Sequence, residues 1–446
     1  MAADHIISNA ELTQLVSKML DTAMLQKGVT AAAVGGSANV GLSARVRLGA
    51  VETIEFFRDK SLALTIYKGQ ATGSASITDL TPPAIEEAIA AACRIAEYTE
   101  ADPYAGLADK QALATEIPDL DLYHSAQVSP EQAISNALQC ETAALSYNKE
   151  IINSEGAVFS TSDQLYVYAN SNGFLAAYPT TRYGAYCTVI GQRGDSMQRD
   201  YEYTAARDLN DLDNLDQVGK RAAQKTIERL GARKINTCRA PVLLVPTIAS
   251  SFWGTLIAAI SGSNLYRKSS FLLDHLQQQV FPDFINISEQ PYILKALGSA
   301  PFDNEGVATK NKDIIKNGIL NTYLLGSYAA RRLGMITTGN AGGVHNLVIT
   351  PGTHDFMELL QQLGTGLVVT ELLGHGTNMI TGDYSQGAAG VWVENGVIAY
   401  PVEEITIAGN FKDMFSNIRA IGNDVDHRSN IITGSVLLDE LTIAGN

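Results

Sequence analysis

PVLLVPTIASSFWGTLIAAISGSNLYRKSSFL, residues Pro241 to Leu272, opens on the apolar run Val242 to Val245, closed by Pro246. A short apolar run stopped by proline predicts a buried strand. Ser250 or Ser251 can then cap a helix starting near Phe252, with Phe252, Leu256, Ile257 and Ile260 recurring at helical spacing. No Asp, Glu, Lys or Arg lies between Arg239 and Arg267. A strand feeding a helix is a common mount for metal ligands, because two histidines about one turn apart share a face. The corresponding face here holds Gly254, Ala258 and Ala259, which carry no imidazole, thiolate or carboxylate. A hydrolytic metal centre is therefore not expected on this helix.

Further along stand Pro301-Phe302-Asp303-Asn304-Glu305-Gly306, Glu371-Leu372-Leu373-Gly374-His375-Gly376, the stretch Gly387 to Pro401, and Leu441-Thr442-Ile443-Ala444-Gly445-Asn446. On these residues the chain resembles the TldD/PmbA family, and within it the PmbA (TldE) branch. The likeness spans almost the whole chain and is strongest from Pro301 to Asn446. The resemblance implies that TldD-type chains carry an HExxxH helix just before an Arg-Lys pair. Anchored on Arg267-Lys268, the first His, the Glu and the second His fall at Gly254, Thr255 and Ala259, none of them able to ligate zinc or act as a base. TldD-type chains also carry a ligating Cys near the C-terminus, whereas the last cysteine here is Cys238.

The 446 residues suffice for a large core in two domains, expected at 1–220 and 221–446. Apolar residues make up 46% and charged residues 18%, a globular balance. A net charge of −15 argues against a nucleic-acid partner, which needs a local basic surplus. Met1-Ala2-Ala3-Asp4-His5 lacks a signal-peptide pattern. Val242 to Ile260 approaches membrane-span length, but Pro246, two serines, Gly254 and Thr255 interrupt it, so a buried strand and helix are expected and no membrane partner. Cys93, Cys140, Cys187 and Cys238 form no CxxC pair and read as buried free thiols in a reducing, cytoplasmic compartment.

The predicted fold class is α+β. An N-terminal domain mixes helices with an antiparallel sheet; a C-terminal domain is glycine-rich and mainly antiparallel β. Ser8 and Glu11 form a capping-box pattern before a helix that stops at Gly28. Runs at Leu42–Leu48, Val51–Phe57, Leu62–Tyr67 and Ala71–Ile77 read as separate short strands. Helices follow from Thr81-Pro82-Pro83, with Glu86 and Glu87 in the first turn, and from the capping box at Ser129 and Gln132. Ile151 to Tyr203 is strand-rich around an Asn172-Gly173 turn, and Leu212 to Gly231 is a polar-faced helix. Two Asn-Gly hairpins, at Asn317-Gly318 and Asn395-Gly396, lie among glycines expected to mark bulges, with Asp355 to Leu363 the one helical candidate of that half.

Asp303, Glu305, Gly339, Asn340 and His375 are the candidate substrate-binding residues; no catalytic residue is expected. Asp303 and Glu305 would share one face of a strand and point into a cleft, or else form a polar turn before a hairpin. His375, between two glycines, would contact a peptide or act as a base, or simply satisfy turn carbonyls. Gly339-Asn340-Ala341-Gly342-Gly343 has the glycine content of an anion nest but no following Lys-Ser/Thr. His345 and His354 lack a ligand spacing. Arg267-Lys268 and Arg331-Arg332 read as ion-pairing or carboxylate-binding pairs.

The resemblance implies a zinc-free subunit of a heteromeric cytosolic metallopeptidase acting on unfolded or peptide substrates, including ribosomal peptide precursors. This chain would hold no cofactor; zinc would sit in a TldD-type partner, and the isolated chain could form a homodimer. Two alternatives stand beside this one. One is a regulatory or binding protein of the gyrase-modulator kind; the other is a metal-independent hydrolase built on His375 with Asp303 or Glu305.

Overall fold

The computed structural model describes residues 7–445; the Met1–His5 segment and Asn446 invoked above lie outside them. Ser8 caps α1 (Asn9–Met24), its hydroxyl accepting from the Glu11 amide while the Glu11 carboxylate accepts from the Ser8 amide. Next come β1 (Ala31–Arg47), β2 (Ala50–Lys68) and β3 (Ala71–Ile77). The runs Val51–Phe57 and Leu62–Tyr67 belong to one strand, not two. Asp59 and Lys60 between them stay extended because they pair with Asn39 and Ala38 of β1. In α2 (Pro82–Tyr98) Pro82 is already helical, so Glu86 and Glu87 fall in the second turn, away from the helix end. Then follow α3 (Pro130–Leu145) with its Ser129–Gln132 capping box, β4 (Ile151–Asn170), β5 (Phe174–Arg193), β6 (Ser196–Ala206) and α4 (Leu215–Glu228).

These six strands form one antiparallel sheet, ordered β3-β2-β1-β4-β5-β6. The side-chain period of two divides its faces. On one face, Leu12, Val16 and Met19 of α1 and Ile89 of α2 pack over Val34, Leu64 and Val167 at one end of the strands. Ala137 and Cys140 of α3, with Val218 and Ala222 of α4, pack over Val46, Phe159 and Val189 at the other. Tyr166, Tyr168, Phe174 and Tyr178 turn the opposite way and enclose Phe302, which the second half of the chain inserts between them.

That second half begins with β7 (Cys238–Leu244), α5 (Pro246–Ala259), α6 (Gly262–Tyr266), β8 (Ile287–Glu289), β9 (Lys312–Lys316), β10 (Ile319–Leu320), α7 (Ser327–Leu333) and β11 (Leu347–Ile349). It continues through α8 (Phe356–Leu363), β12 (Gly366–Leu373), β13 (Asp383–Glu394), β14 (Val397–Asn410), α9 (Phe411–Ser416), β15 (Ile418–Ile421), β16 (Ile431–Ile432) and β17 (Val436–Ala444). Neighbours run β14-β13-β12-β7-β17, and β17 pairs back onto β14, closing a β-barrel. Only the β7–β12 contact of this ring is parallel. A small separate sheet is ordered β10-β9-β8-β11-β16.

The fold is α+β, as the sequence indicates. Both Asn-Gly hairpins form, with Asn317, Gly318, Asn395 and Gly396 all at positive φ. Gly390 does sit at a bulge, where a Cβ would run into the Val368 carbonyl. Gly334 and Gly364 instead end helices α7 and α8, and Gly339, Gly342 and Gly343 lie in a loop. Helix α8 is accompanied by α6, α7 and α9, each too short for an apolar period to register in the sequence. All four cysteines are free; Cys140 and Cys187 are buried, whereas Cys93 and Cys238 are only partly so. No helix of the described residues is long and apolar enough to cross a membrane.

Candidate functional site

Helix α5 starts at Pro246 with Val245 as its N-cap, more than a turn before the Phe252 start that serine capping suggested. Proline is suited to the first helical position, since its φ is preset and its missing N–H would have had no partner there. Ser250 is therefore inside the helix, its hydroxyl donating back to the Thr247 carbonyl. Phe252, Trp253, Leu256 and Ala259 face the core, where the Trp253 indole donates to Thr433 Oγ1 at 2.9 Å. Ala259 is thus fully buried and does not share the half-exposed face of Gly254 and Ala258.

The donor set can be tested at these positions. A Cβ on Gly254 would meet nothing within 4 Å, Thr255 offers one hydroxyl 3.5 Å from the Ser251 carbonyl, and Ala259 offers a buried methyl. Glycine, threonine and alanine do not fit a zinc ion. Among the described residues no group of three or more His, Cys, Asp or Glu could hold one.

Two cavities flank α5. A small one of about 40 Å³ places Ser251 and Thr255 against Leu372 and Gln386 of the barrel wall and Thr377 of the loop between β12 and β13. On the other side a groove of about 460 Å³ is lined by Ile257, Ser261, Ser263, Tyr266, Glu305 and Tyr328, with the Asn340–Gly343 loop as its rim. The opening stretch therefore supplies one wall, and the Pro301–Gly306 segment and the glycine loop supply the others.

Asp303 and Glu305 sit on a tight turn rather than on one strand face. Asp303 is 1% exposed, and its Oδ1 accepts from the amides of Glu305 and Val307 at 2.9 Å, its Oδ2 from that of Ala341 at 2.9 Å. Burial pushes its carboxyl up to about 6, against the pull of these amides. It fastens the turn to the glycine loop and faces no cleft. Gly306 completes the turn at φ +77°, where a Cβ would lie 2.8 Å from the Phe174 ring. Glu305, by contrast, lines the groove, with Oε2 accepting from the Ser327 amide at 2.8 Å.

Asn340 is 5% exposed and fully engaged. Its amide donates to Glu289 Oε1 at 2.7 Å and to the Gly343 carbonyl at 3.0 Å, and its oxygen accepts from Lys312 Nζ and Thr338 Oγ1 at 2.8 Å each. Glu289 in turn accepts from the His345 amide at 2.6 Å and pairs with Lys312 at 2.7 Å. Burial works to raise the Glu289 carboxyl, but hydrogen bonding to His345 and the Lys312 charge outweigh it and leave it below its ordinary value. Asn340 thus shapes the rim from behind, while the Ala341–Gly343 backbone faces the groove. His345 belongs to this network, and His354 lies by Glu358 on α8.

His375 is exposed on the loop between β12 and β13 and is not part of the groove. Neither basic pair forms an ion pair among the described residues. Arg331 donates to the carbonyls of Tyr104, Gly106 and Leu107, and Arg332 and Arg267 lie over the Tyr266 ring at 5.0 and 5.5 Å.

Sequence reasoning missed Ser261, Ser263, Tyr266 and Tyr328 as groove residues, although the first three lie in the opening stretch. It also missed a larger cleft of about 890 Å³ between α4, β6 and the barrel. There Arg229 pairs with Asp200 and Glu371, and Arg428 with Asp426 and Glu202, so each of these two cations bridges the two halves of the chain.

Family models for the PmbA/TldA metallopeptidases match in three successive pieces: domain 1 over residues 32–96, the central domain over 123–230 and the C-terminal domain over 237–445. The chain belongs to this family. Within it the chain falls in the PmbA (TldE) branch. It is 49% identical to Metalloprotease PmbA of Escherichia coli O157:H7, with 99% of each chain covered. It is 48% identical to the Haemophilus influenzae homologue, over 98% of this chain and 96% of that one. A Bacteroides thetaiotaomicron structure described as a candidate modulator of DNA gyrase superposes with a TM-score of 0.93 at 27% identity, covering 99% of this chain and 100% of that one. TldE of Thermococcus kodakarensis shares the fold, with a TM-score of 0.83 at 20% identity over 97% of this chain and 100% of that one.

Proposed function

We propose that this PmbA-type chain is the non-zinc-binding subunit of a cytoplasmic heteromeric peptidase, working beside a TldD-type subunit that carries the zinc and its activated water. The observation that carries this reading is the donor set on α5: no side chain at Gly254, a lone hydroxyl at Thr255, a buried methyl at Ala259. A metallopeptidase relative with such residues needs its metal from elsewhere. Its own contribution is a wall for unfolded or peptide substrates, including ribosomal peptide precursors. The glycine-rimmed groove beside α5 suits an extended backbone, which binds through main-chain hydrogen bonds. The test is reconstitution. The purified chain alone is expected to hold no stoichiometric zinc and cleave no peptide, and activity is expected on mixing with a TldD-type subunit. One zinc per chain by elemental analysis, or full activity alone, refutes it.

The description of two structural relatives as candidate modulators of DNA gyrase favours a second reading, a regulatory binding protein without a peptidase role. Co-purification from the host separates the two: a TldD-type chain supports the first, topoisomerase subunits the second.

A further inference from the structure

We propose that the groove beside α5 is a subsite for a cationic group of a peptide, a free α-ammonium or a Lys or Arg side chain, held by Glu305. This inference rests on the peptide-binding reading above and names the chemistry of one end of the ligand.

Glu305 has one oxygen committed to the Ser327 amide, while the other has no donor and the carboxylate has no ion-pair partner among the described residues. None of the nearby cations pairs with Glu305. Arg331 is fixed by three carbonyls, Arg332 and Arg267 lie over Tyr266, and Lys312 is paired with Glu289. Asp303, the neighbouring carboxylate, already accepts three amide hydrogen bonds and does not line the groove. Among the residues that line the groove Glu305 alone is charged, and its charge is negative.

Glu305 is half-buried, so its attraction for an incoming cation is screened less than at an open surface. The rest of the lining fits an ammonium or guanidinium and its stem. Tyr266 and Tyr328 meet edge to face at 5.6 Å and wall one side, the Ser261 and Ser263 hydroxyls lie 3.3 Å apart and can accept, and Ile257 and Leu324 provide apolar floor for methylenes. No Lys or Arg lines the groove, so an anion would meet no cation on its walls.

The experiment is calorimetric titration of the full chain with three probes: Ala-Ala-Ala-amide, its N-acetyl form, and N-acetyl-Ala-Lys-Ala-amide. At least one cationic probe is expected to bind roughly tenfold tighter than the neutral one, the scale of a charge-assisted hydrogen bond in a half-enclosed site. Preference for the free amine assigns the amino terminus; preference for the lysyl probe assigns a side chain. Glu305→Gln keeps an acceptor for the Ser327 amide and is expected to erase the preference. On the unaltered protein, raising salt from about 0.05 M to about 0.5 M is expected to shrink it several-fold. Equal binding of all three probes, a preference that survives Glu305→Gln, or one indifferent to salt overturns the proposal. If equal binding accompanies activity with a TldD-type partner, the subsite falls and the subunit reading stands. If no probe binds and no activity appears on mixing, both fall.

Discussion

Asp303 gives the sharpest quantitative prediction. Its carboxyl rises from an ordinary 3.8 to about 6 because burial disfavours the charged form. At about 1.4 kcal/mol per pH unit the displacement amounts to about 3 kcal/mol. The folded chain holds this proton more tightly than the unfolded one between roughly pH 4 and pH 6. Asp303 therefore contributes stability that is fully present below the ordinary value and is lost as pH rises through about 6. Many other carboxylates titrate in the same range, so the quantity to measure is a difference against Asp303→Asn, which cannot ionise. That variant turns an NH₂ toward one of the three amides now donating to Asp303, a pH-independent loss of about 1–3 kcal/mol. On top of this offset, urea unfolding from pH 4 to pH 7.5 should show the variant gaining on the native protein by up to about 3 kcal/mol, with most of the change centred below pH 6.5. A difference that stays flat with pH, or runs the other way, would refute the argument that burial dominates at this carboxylate.

Other outcomes can be checked alongside it. Glu289→Ala leaves Lys312 buried without its partner and should cost about 3–5 kcal/mol in denaturant unfolding, much of it restored by adding Lys312→Met. Gly306→Ala forces a side chain onto positive φ and into the Phe174 ring, lowering stability by about 1–3 kcal/mol in a thermal scan. Gly254→His enters open space and should fold at least as well as the native chain, whereas Ala259→His overfills the core and should cost about 1–3 kcal/mol or more by the same measurement. His375→Ala should leave the activity of the mixed complex unchanged; a large loss in kcat would revive a hydrolase centred on that loop.

The long elements were legible because local signals agreed with the final packing. The Ser8–Glu11 and Ser129–Gln132 boxes start α1 and α3, and both Asn-Gly pairs turn where the chain requires positive φ. The start of α5 was misplaced because two serines outweighed a proline, although Pro246 both ends a strand and begins a helix. The break within β2 was an artefact of polarity: Asp59 and Lys60 are extended only because β1 runs beside them, a fact held in another part of the chain. The site was legible residue by residue but not as a place. Glu305 and Asn340 were marked as candidates, yet nothing local reveals that one lines the groove while the other is saturated behind its rim. Tyr266 and Tyr328 lie sixty-two positions apart (328 − 266), and only the fold brings their rings to 5.6 Å.

Barrel closure has a consequence for how the protein is made. Strand β7, which leads directly into α5, is flanked by β12 and β17, and Cys238 pairs with Ile443, 205 positions later (443 − 238). Contacts of such long separation form late, since a large loop must close before they reward it. During synthesis the α5 helix and its flanking cavities must wait for the ribosome to release β17, with apolar Val242 and Leu244 bare in the meantime. Removing Val436 to Ala444 should therefore leave an aggregation-prone chain rather than a trimmed but working one.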